Sequence, residues 1–311
     1  MKYIFALAKY YTRPSYWLGM WRGVFASFCA VLGAGELLVN VLGKCSGELK
    51  AFADDPRTFE YLLLFSFACS IWNNRPKRKI SCNISDVDIP VTIVVGDVLH
   101  EDGDYVVACN TTFDTTYNKF VSPDSYQGRV QGKYYPNLEM LDKCMQAELN
   151  RYQGCKTPDE RIVSKSIRYS PGTVVKTTVH DGRNVYWVAL ADASCEGAAN
   201  CYMYDLRRCL QGLWDYIADK GNKTILTMPI LGSGRSGLNE SRCTIIKEIL
   251  FSFIAYSRSR KIVEELKVCI YPNDMLHHDI DIDDIKSYLC YNCRENRIYQ
   301  NDDDGESSAC G

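Results

Sequence analysis

Two apolar runs near the start of the chain stand apart from the rest of the hydrophobic pattern. The first, residues 24–43, holds 20 residues with a single charge, Glu36. A helix of about 20 residues is long enough to cross the hydrocarbon core of a bilayer. Trp17 and Trp21 precede the run, where amphipathic rings favour the membrane interface. We therefore predict a transmembrane helix over about residues 20–43.

The second run, residues 59–72, is shorter and ends in an aromatic residue. Its 14 residues suit a helix that lies on the membrane or in a core, and they suit a crossing only if the helix extends upstream. Trp72 and the bases behind it have the character of an interfacial stop; those bases are Arg75, Lys77, Arg78 and Lys79. We predict a second transmembrane helix over about residues 57–73, and a membrane region over residues 1–79.

Beyond residue 80 the apolar positions alternate between strand-like runs and helix-like stripes. Continuous apolar runs predict strands at residues 89–95, 105–109, 174–179, 185–190, 224–229 and 266–271. Apolar residues spaced by three and four predict helices within residues 138–149, 203–217 and 245–253. This alternation predicts an α/β domain over residues 80–295, with a layered sheet and ligands at strand ends. The acidic residues 296–311 predict a disordered tail.

Charge divides the chain at the same place. Residues 1–79 carry 11 Lys and Arg against 5 Asp and Glu, whereas residues 80–311 carry 25 against 33. An acidic domain is a poor general binder of nucleic acid, because that affinity comes mostly from neutralising phosphates. Bases flank both apolar runs, while the connection at residues 44–57 is mixed. The positive-inside rule therefore places both termini and the large domain in the cytoplasm.

The 15 cysteines have irregular spacings and an odd count, so we expect ordinary reduced thiols in a cytoplasmic domain. The CxxC pair Cys290 and Cys293 lies near His277 and His278, which leaves a zinc site as the alternative. No second pair follows with zinc spacing. We expect no metal.

Glu36 is the unusual residue of the first apolar run, because an ionisable group inside a span is costly and faces a partner or water. It indicates either a pore or inter-subunit contact, or a side chain that reaches back to the interface. Gly33 and Gly35 flank an alanine and offer a small-residue face for close helix packing. We expect a homo-oligomer.

A glycine-rich loop follows one predicted strand and precedes a predicted helix. Three glycines within six residues allow backbone amides to turn toward one point, and a helix N-terminus adds positive potential, which suits a diphosphate. The loop matches neither the Walker nor the dinucleotide-binding spacing, so a plain tight turn is an equal alternative. Its residues are Leu231, Gly232, Ser233, Gly234, Arg235, Ser236 and Gly237.

Two further strand ends carry polar side chains. Asp97 follows the first strand, where a carboxylate can accept a hydrogen bond from an exocyclic amine such as that of adenine; its alternative role is to cap the next turn. Asn110 ends the second strand, and with the threonines behind it could hold ribose hydroxyls; the alternative is loop capping. We therefore treat Asp97 and Asn110 as candidate ligand contacts.

Together these motifs resemble the macro domain, a family of ADP-ribose binders. The resemblance rests on Gly-Asp after the first strand, Asn after the second and Leu-Gly-x-Gly-x-x-Gly before a late helix, and it covers about residues 85–275. It implies a three-layer α/β/α sandwich with a mixed sheet. With two apolar runs in front, the layout is similar to the macro-domain membrane effectors of Thoeris-type (type II) bacterial anti-phage systems. Residues 120–128 and 168–173 also resemble segments of that subgroup.

The resemblance implies an anti-phage defence function that ends in abortive infection. A TIR-domain partner would make an ADP-ribose derivative, a histidine conjugate in this type, from NAD after infection. The macro domain would sense it in the cytoplasm, and the multi-pass membrane part would disrupt the bacterial inner (plasma) membrane. The chain would need no cofactor.

The resemblance also implies roles for residues by position. Asp97 would contact adenine, with a backbone amide from Val98, while Asn110 and Asp114 would lie near the distal ribose. Residues 232–237 would hold the diphosphate. The full set of expected ligand-binding residues is Gly96, Asp97, Val98, Asn110, Thr111, Phe113, Asp114, Leu231, Gly232, Ser233, Gly234, Arg235, Ser236, Gly237, Tyr271 and Asn273.

One departure from the family pattern concerns catalysis. Macro hydrolases follow the Asn with a glycine-rich run that lets substrate and water approach, whereas residues 111–116 here contain no glycine. We therefore expect a sensor without catalytic residues. A membrane-tethered ADP-ribosyl hydrolase is the alternative.

Overall fold

A computed structural model describes the chain in several stretches and divides it into two compact units, residues 1–77 and 78–311. The described residues are 17–18, 20–30, 33, 56–73, 78–117, 121–156, 165–193, 199–234 and 237–294. The predicted acidic tail therefore lies outside the described residues.

Two helices of the N-terminal unit contact each other: α1, residues 20–30, and α2, Pro56–Asn73. The Ser70 hydroxyl donates to the carbonyl oxygen of Met20 at 2.7 Å. Small polar side chains thus lie between the helices, because Ser66 and Ser70 are buried. Large apolar side chains of α2 point outward, and those at least two-fifths exposed are Tyr61, Leu63, Leu64, Phe65, Ile71 and Trp72.

The predicted transmembrane helices are not confirmed. Half of the first, including Glu36, lies outside the described residues. The second coincides with α2. Among the helices that the structure describes, none combines the length and the apolar character that crossing a membrane requires.

A mixed sheet of eight strands forms the centre of the C-terminal unit, in the order β1-β2-β10-β9-β3-β7-β6, with β8 paired to β7. The strands are β1 Lys79–Ile84, β2 Ile89–Val95, β3 Asp104–Asn110, β6 Val174–Thr178, β7 Asn184–Ala193, β8 Ala199–Asn200, β9 Ile225–Pro229 and β10 Glu265–Ile270. β4 Cys155–Lys156 and β5 Ile167–Arg168 form a separate antiparallel pair. Strands β2, β10, β9, β3 and β7 run parallel, and β1 and β6 pair antiparallel at the two edges. The hydrophobic pattern did not predict β1.

A buried carboxylate ties three of the parallel strands together at their amino ends. Asp104, the first residue of β3, accepts a hydrogen bond from the backbone nitrogen of Asn184 at 2.8 Å and from its amide at 3.0 Å. The Thr224 hydroxyl, directly before β9, donates to the same carboxylate at 3.0 Å. The starts of β3, β7 and β9 are therefore aligned by one side chain.

Helices cover both faces of the sheet. Alternate residues of β7 show the two faces, since Tyr186 contacts Tyr216 of α5, while Trp187 contacts Tyr135, which follows α3. The helices are α3 Tyr126–Tyr134, α4 Leu138–Leu149, α5 Met203–Lys220, α6 Arg242–Ser257, α7 Pro272–His277 and α8 Ile282–Arg294. Residues of α3 and α4 share a core cluster with Trp187, and α5 and α8 pack on α6. The expected mixed sheet between helical layers is confirmed.

The structure corrects the expectation that all cysteines are reduced. Cys82 of β1 and Cys290 of α8 form a disulfide across 208 residues of sequence. Cys290 is therefore not free to act as a ligand of the zinc site weighed above. The buried Cys293 remains a free thiol, so the CxxC pair is divided between two chemical states.

We predict that Gly212→Ala destabilises the C-terminal unit. A Cβ at this position of α5 would collide with the carbonyl oxygen of Gly172, so we expect a loss of about 1–3 kcal/mol, as for other overpacked sites. Gly132→Ala in α3 is the control, because its Cβ would meet only the Tyr117 hydroxyl, at 3.5 Å. Alanine should there stabilise the helix by up to about 1 kcal/mol. Denaturant unfolding measures both, and equal effects would contradict this account of the contact.

Candidate ligand site

The predicted site residues lie at the carboxyl ends of the central strands, because β2, β10, β9 and β3 are parallel and end on the same side of the sheet. A cavity of about 180 Å³ opens at the ends of β3 and β9. Its lining comes from three segments that are distant in sequence: Ala108, Cys109 and Asn110; Ser125, Tyr126 and Gln127; and residues 229–234, with Ala191 from β7. The fold thus brings the glycine loop and Asn110 to a common cavity.

The glycine loop is a turn whose backbone lies open to the cavity. Gly232 has a φ of +76°, which glycine adopts without the Cβ penalty of other residues. A Cβ built on Gly234 would meet no atom within 4 Å. Arg235 and Ser236 lie outside the described residues. The predicted helix behind the loop is confirmed: it begins at Arg242, after its N-cap Ser241, five residues beyond Gly237.

Asp97 caps the turn that follows β2, which is one of the two roles considered from the sequence. One carboxylate oxygen accepts a hydrogen bond from the backbone nitrogen of Leu99 at 3.1 Å and so caps a single 3₁₀ turn, Val98–His100. The other oxygen forms an ion pair with Arg129 of α3. The Arg129 guanidinium also lies over the ring of Tyr271, 5.7 Å from the centroid. The Asp97 carboxylate is therefore engaged from two sides.

The same turn contacts the point where the chain enters the C-terminal unit. Glu101, which follows the turn, is buried and accepts hydrogen bonds from Arg78 at 2.8 Å and Lys79 at 2.9 Å. The side chain of Arg78 also lies beside Gly96, where a Cβ would be 3.1 Å from a guanidinium nitrogen. These two cations belong to the basic cluster that was interpreted from the sequence as an interfacial stop.

Asn110 is held by a buried carboxylate. Its amide donates to Asp114 at 2.6 Å, and its oxygen accepts from the Asp114 backbone nitrogen at 3.0 Å. Thr112 donates to the same Asp114 oxygen at 2.8 Å. Because Asp114 is only 5 % exposed, this network fixes the Asn110 side chain at the end of β3.

The other residues predicted near the ribose have mainly structural contacts. Phe113 has a positive φ of 51° and is fully buried, with its ring 5.8 Å from that of Tyr169. The backbone of Thr111 bonds to Ala191 and Tyr169. Asn273 lies in the short helix α7, directly after its N-cap Tyr271 and Pro272. Phe113 therefore belongs to the core in this structure.

The sequence pattern did not indicate three side chains that contact residues of the candidate site: Arg129, Gln127 and Lys165. The Gln127 amide donates to the backbone oxygen of Asp114 at 2.7 Å. Lys165 donates to the backbone oxygen of Phe113 at 2.6 Å and pairs with Asp142. These contacts join segments between 13 and 52 residues apart, and no local sequence pattern marks them.

A second cavity of about 430 Å³ is lined by chain neighbours of two residues of the first. Asn110 and Ala191 line the first cavity, and their chain neighbours Thr111 and Leu190 line the second. The side chains that give the second cavity its chemistry are Arg168, Arg208, Asp205, Tyr202 and Tyr204, and the two last rings are stacked with an interplanar angle of 9°. This cavity can accept a planar or anionic group.

Cys109 is the one sulfur nucleophile in the lining of the first cavity. It is 4 % exposed, and burial raises the pKa of its thiol far above the usual value. The thiolate is the nucleophilic form of cysteine. At neutral pH the Cys109 thiol therefore stays protonated and unreactive.

Comparisons with known proteins identify the domain. A model of the macro domain of Thoeris protein ThsA matches residues 91–271, more than half of the 311 residues. The chain therefore belongs to the family of Thoeris ThsA macro domains, as the sequence motifs indicated. No curated protein matches the chain.

Several solved macrodomains are distantly similar in structure. A glycine-to-valine mutant of the Oceanobacillus iheyensis macrodomain with ADPR is 14% identical, with 72% of this chain and 99% of that chain covered and a TM-score of 0.44. The same macrodomain with ADP is 14% identical, with 72% of this chain and 97% of that chain covered and a TM-score of 0.44. The Trypanosoma brucei macrodomain in complex with ADP-ribose is 10% identical, with 60% of this chain and 66% of that chain covered and a TM-score of 0.41. The family match, and not these distant similarities, assigns the chain.

We predict that Asp114→Ala destabilises the fold, because it leaves the amide of Asn110 and the hydroxyl of Thr112 buried without their acceptor. Each buried polar group left without a partner costs about 1–3 kcal/mol. The control is Asp124→Ala, ten residues away, whose side chain is exposed; it should change stability by less than about 0.5 kcal/mol. The free energy of unfolding in denaturant gives the comparison. Similar values for the two variants would mean that the Asp114 network is not a structural element.

Proposed function

We propose that the edge of the sheet binds an ADP-ribose-type nucleotide and that the chain is the sensor of a Thoeris defence system. The observation that supports this most is the common cavity of the glycine loop and Asn110 in a chain of the ThsA macro family. Adenine would lie at the ends of β2 and β10, the diphosphate at the loop after β9, and the distal ribose at Asn110. An elongated nucleotide suits this row of strand ends.

The glycine loop supplies the diphosphate contacts in this proposal. The C-terminal domain is acidic overall, so a phosphorylated ligand must be held by local donors. Backbone amides in a turn make such an anion site without adding charge. The open space at Gly234 would let the phosphates approach the main chain closely.

We propose sensing without turnover. The Asn110 amide is already bound to Asp114, residues 111–116 contain no glycine, and the thiol of Cys109 is protonated. Among the described residues, these features supply no activated nucleophile next to the distal ribose. We expect no release of ADP-ribose from an ADP-ribosylated protein; release that is lost in Asn110→Ala would favour the hydrolase alternative.

The terminal group of the signal would lie in the second cavity. We propose a histidine conjugate of ADP-ribose, made from NAD by a TIR-domain partner, as the Thoeris resemblance implies. Arg168 and Arg208 line this cavity and can bind the carboxylate of such a group in bidentate fashion. The stacked pair Tyr202 and Tyr204 offers a flat apolar surface for its ring.

We predict that the full-length chain binds ADP-ribose and that Gly234→Val weakens this binding at least about tenfold, because the side chain fills the space needed by the diphosphate. Isothermal titration calorimetry measures the affinity. Unfolding of the variant should stay normal, since a Cβ at this position meets no atom of the described residues within 4 Å, and Gly132→Ala serves as the control. Arg208→Ala should weaken the histidine conjugate more than ADP-ribose. A wild-type chain that binds neither ligand would contradict the proposed function.

The output is proposed to act on the membrane. Helix α2 carries exposed large apolar side chains and buried serines, which is the reverse of a water-soluble helix pair and typical of helices packed in lipid through small residues. The ligand would bind one state of a homo-oligomer more tightly and shift the population toward it. Rearranged helices would then disturb the bacterial inner membrane.

We predict ligand-dependent leakage from dye-loaded liposomes that contain the inserted full-length chain. Asp97→Ala should abolish the response without changing insertion, because it removes the acceptor for adenine. Glu36→Gln should change leakage but not ligand affinity, since it removes the charge of the first apolar run. Ligand binding without leakage would support the proposed sensor function and contradict the proposed membrane output.

A further inference from the structure

A planar cation already lies where the proposed ligand would place its purine. The Arg129 guanidinium pairs with the Asp97 carboxylate and lies over the ring of Tyr271. Asp97 and Tyr271 follow β2 and β10, which are neighbours in the sheet. Both belong to the expected ligand-binding residues, and both lie at the strand ends where the proposed ligand would place its adenine. One arginine therefore contacts both sides of the purine position.

Helix α3 fixes the backbone from which Arg129 extends. The Ser125 hydroxyl caps the helix by accepting a hydrogen bond from the backbone nitrogen of Gly128 at 3.0 Å. The backbone nitrogen of Arg129 donates to the backbone oxygen of Ser125 at 2.9 Å. Gly128 lies against Ser122 and Pro123 so closely that a Cβ would collide with them. The first turn of α3 is thus held in place, and Arg129 can leave Asp97 only by a change of its own rotamer or by movement of the helix.

The guanidinium and an aminopurine compete because they share the same chemistry. Both are flat, both present N–H donors that suit a carboxylate, and both stack on an aromatic ring. The carboxylate alone could accept a further donor, since an ionised carboxylate has about four lone-pair sites. The face of Tyr271 over which Arg129 lies is different, because a purine ring and a guanidinium cannot occupy one face together. On that face, binding of one excludes the other.

We infer that Arg129 is an internal occupant of the purine position, which the nucleotide must displace before it binds. The inference rests on the proposed function. When only a fraction of the protein has the position open, the apparent affinity falls by that fraction. Arg129 thereby sets the concentration of the signal at which the protein responds. It acts on affinity from within the ligand site and determines the response threshold.

The test compares ADP-ribose binding to the full-length wild type and to Arg129→Ala and Arg129→Gln by calorimetry. Removing the occupant should lower the dissociation constant about 5- to 10-fold, as expected for a part-buried ion pair with a cation–π contact. Arg129→Gln, which keeps a donor but loses the charge and the fork, should give a smaller gain. Arg151→Ala is the control, because Arg151 is exposed and pairs only with Glu148 of α4 among the contacts described. Thermal unfolding of each variant checks that it is folded.

The outcomes separate this inference from the function on which it rests. Tighter binding by Arg129→Ala, with Arg151→Ala unchanged, supports the internal occupant. Unchanged or weaker binding by folded Arg129→Ala and Arg129→Gln overturns it, and weaker binding would mean that Arg129 contacts the ligand directly. If the wild type and both folded variants bind no ADP-ribose, the proposed function itself fails.

Discussion

The carboxylate of Asp104 aligns the strands on which the candidate site depends. It is buried at the amino end of β3 and accepts hydrogen bonds from the residues that begin β7 and precede β9. Because these strands are parallel and begin in register, all three run toward the end of the sheet that carries the candidate site. Asn110 and the loop after β9 therefore lie beside each other at the carboxyl ends of the strands, whereas Asp104 lies at the amino ends. The buried carboxylate at the amino ends thus determines where the candidate site residues lie at the carboxyl ends.

The parts of the site that follow directly from strand ends could be predicted from the sequence. Buried parallel strands are continuous apolar runs, so their ends at Asp97, Asn110 and Leu231 are visible without a structure. The sequence also indicates the β6–β7 hairpin, because Asp181 and Gly182 between the two apolar runs favour a turn, and in the structure Gly182 has a φ of +85°. What a run of apolar residues determines is where a strand stops and which face of the sheet it covers.

The directions of individual side chains could not be predicted in this way. Phe113 takes a left-handed backbone conformation and turns its ring into the core, although its position in the sequence is that of a ligand contact. Arg129 meets Asp97 across 32 residues, and Cys82 meets Cys290 across 208. Such pairs arise only when elements pack, and hydrophobic periodicity carries no information on which charges or sulfurs then face each other.

The short turn after β2 also has a consequence for the start of β1. Asp97 begins this turn and Glu101 follows it, and Glu101 is the shared acceptor of Arg78 and Lys79, the first two residues behind the N-terminal unit. A buried carboxylate with two cationic partners resists separation from them. Through Glu101, the turn that begins at Asp97 is therefore joined to the residues at the start of β1.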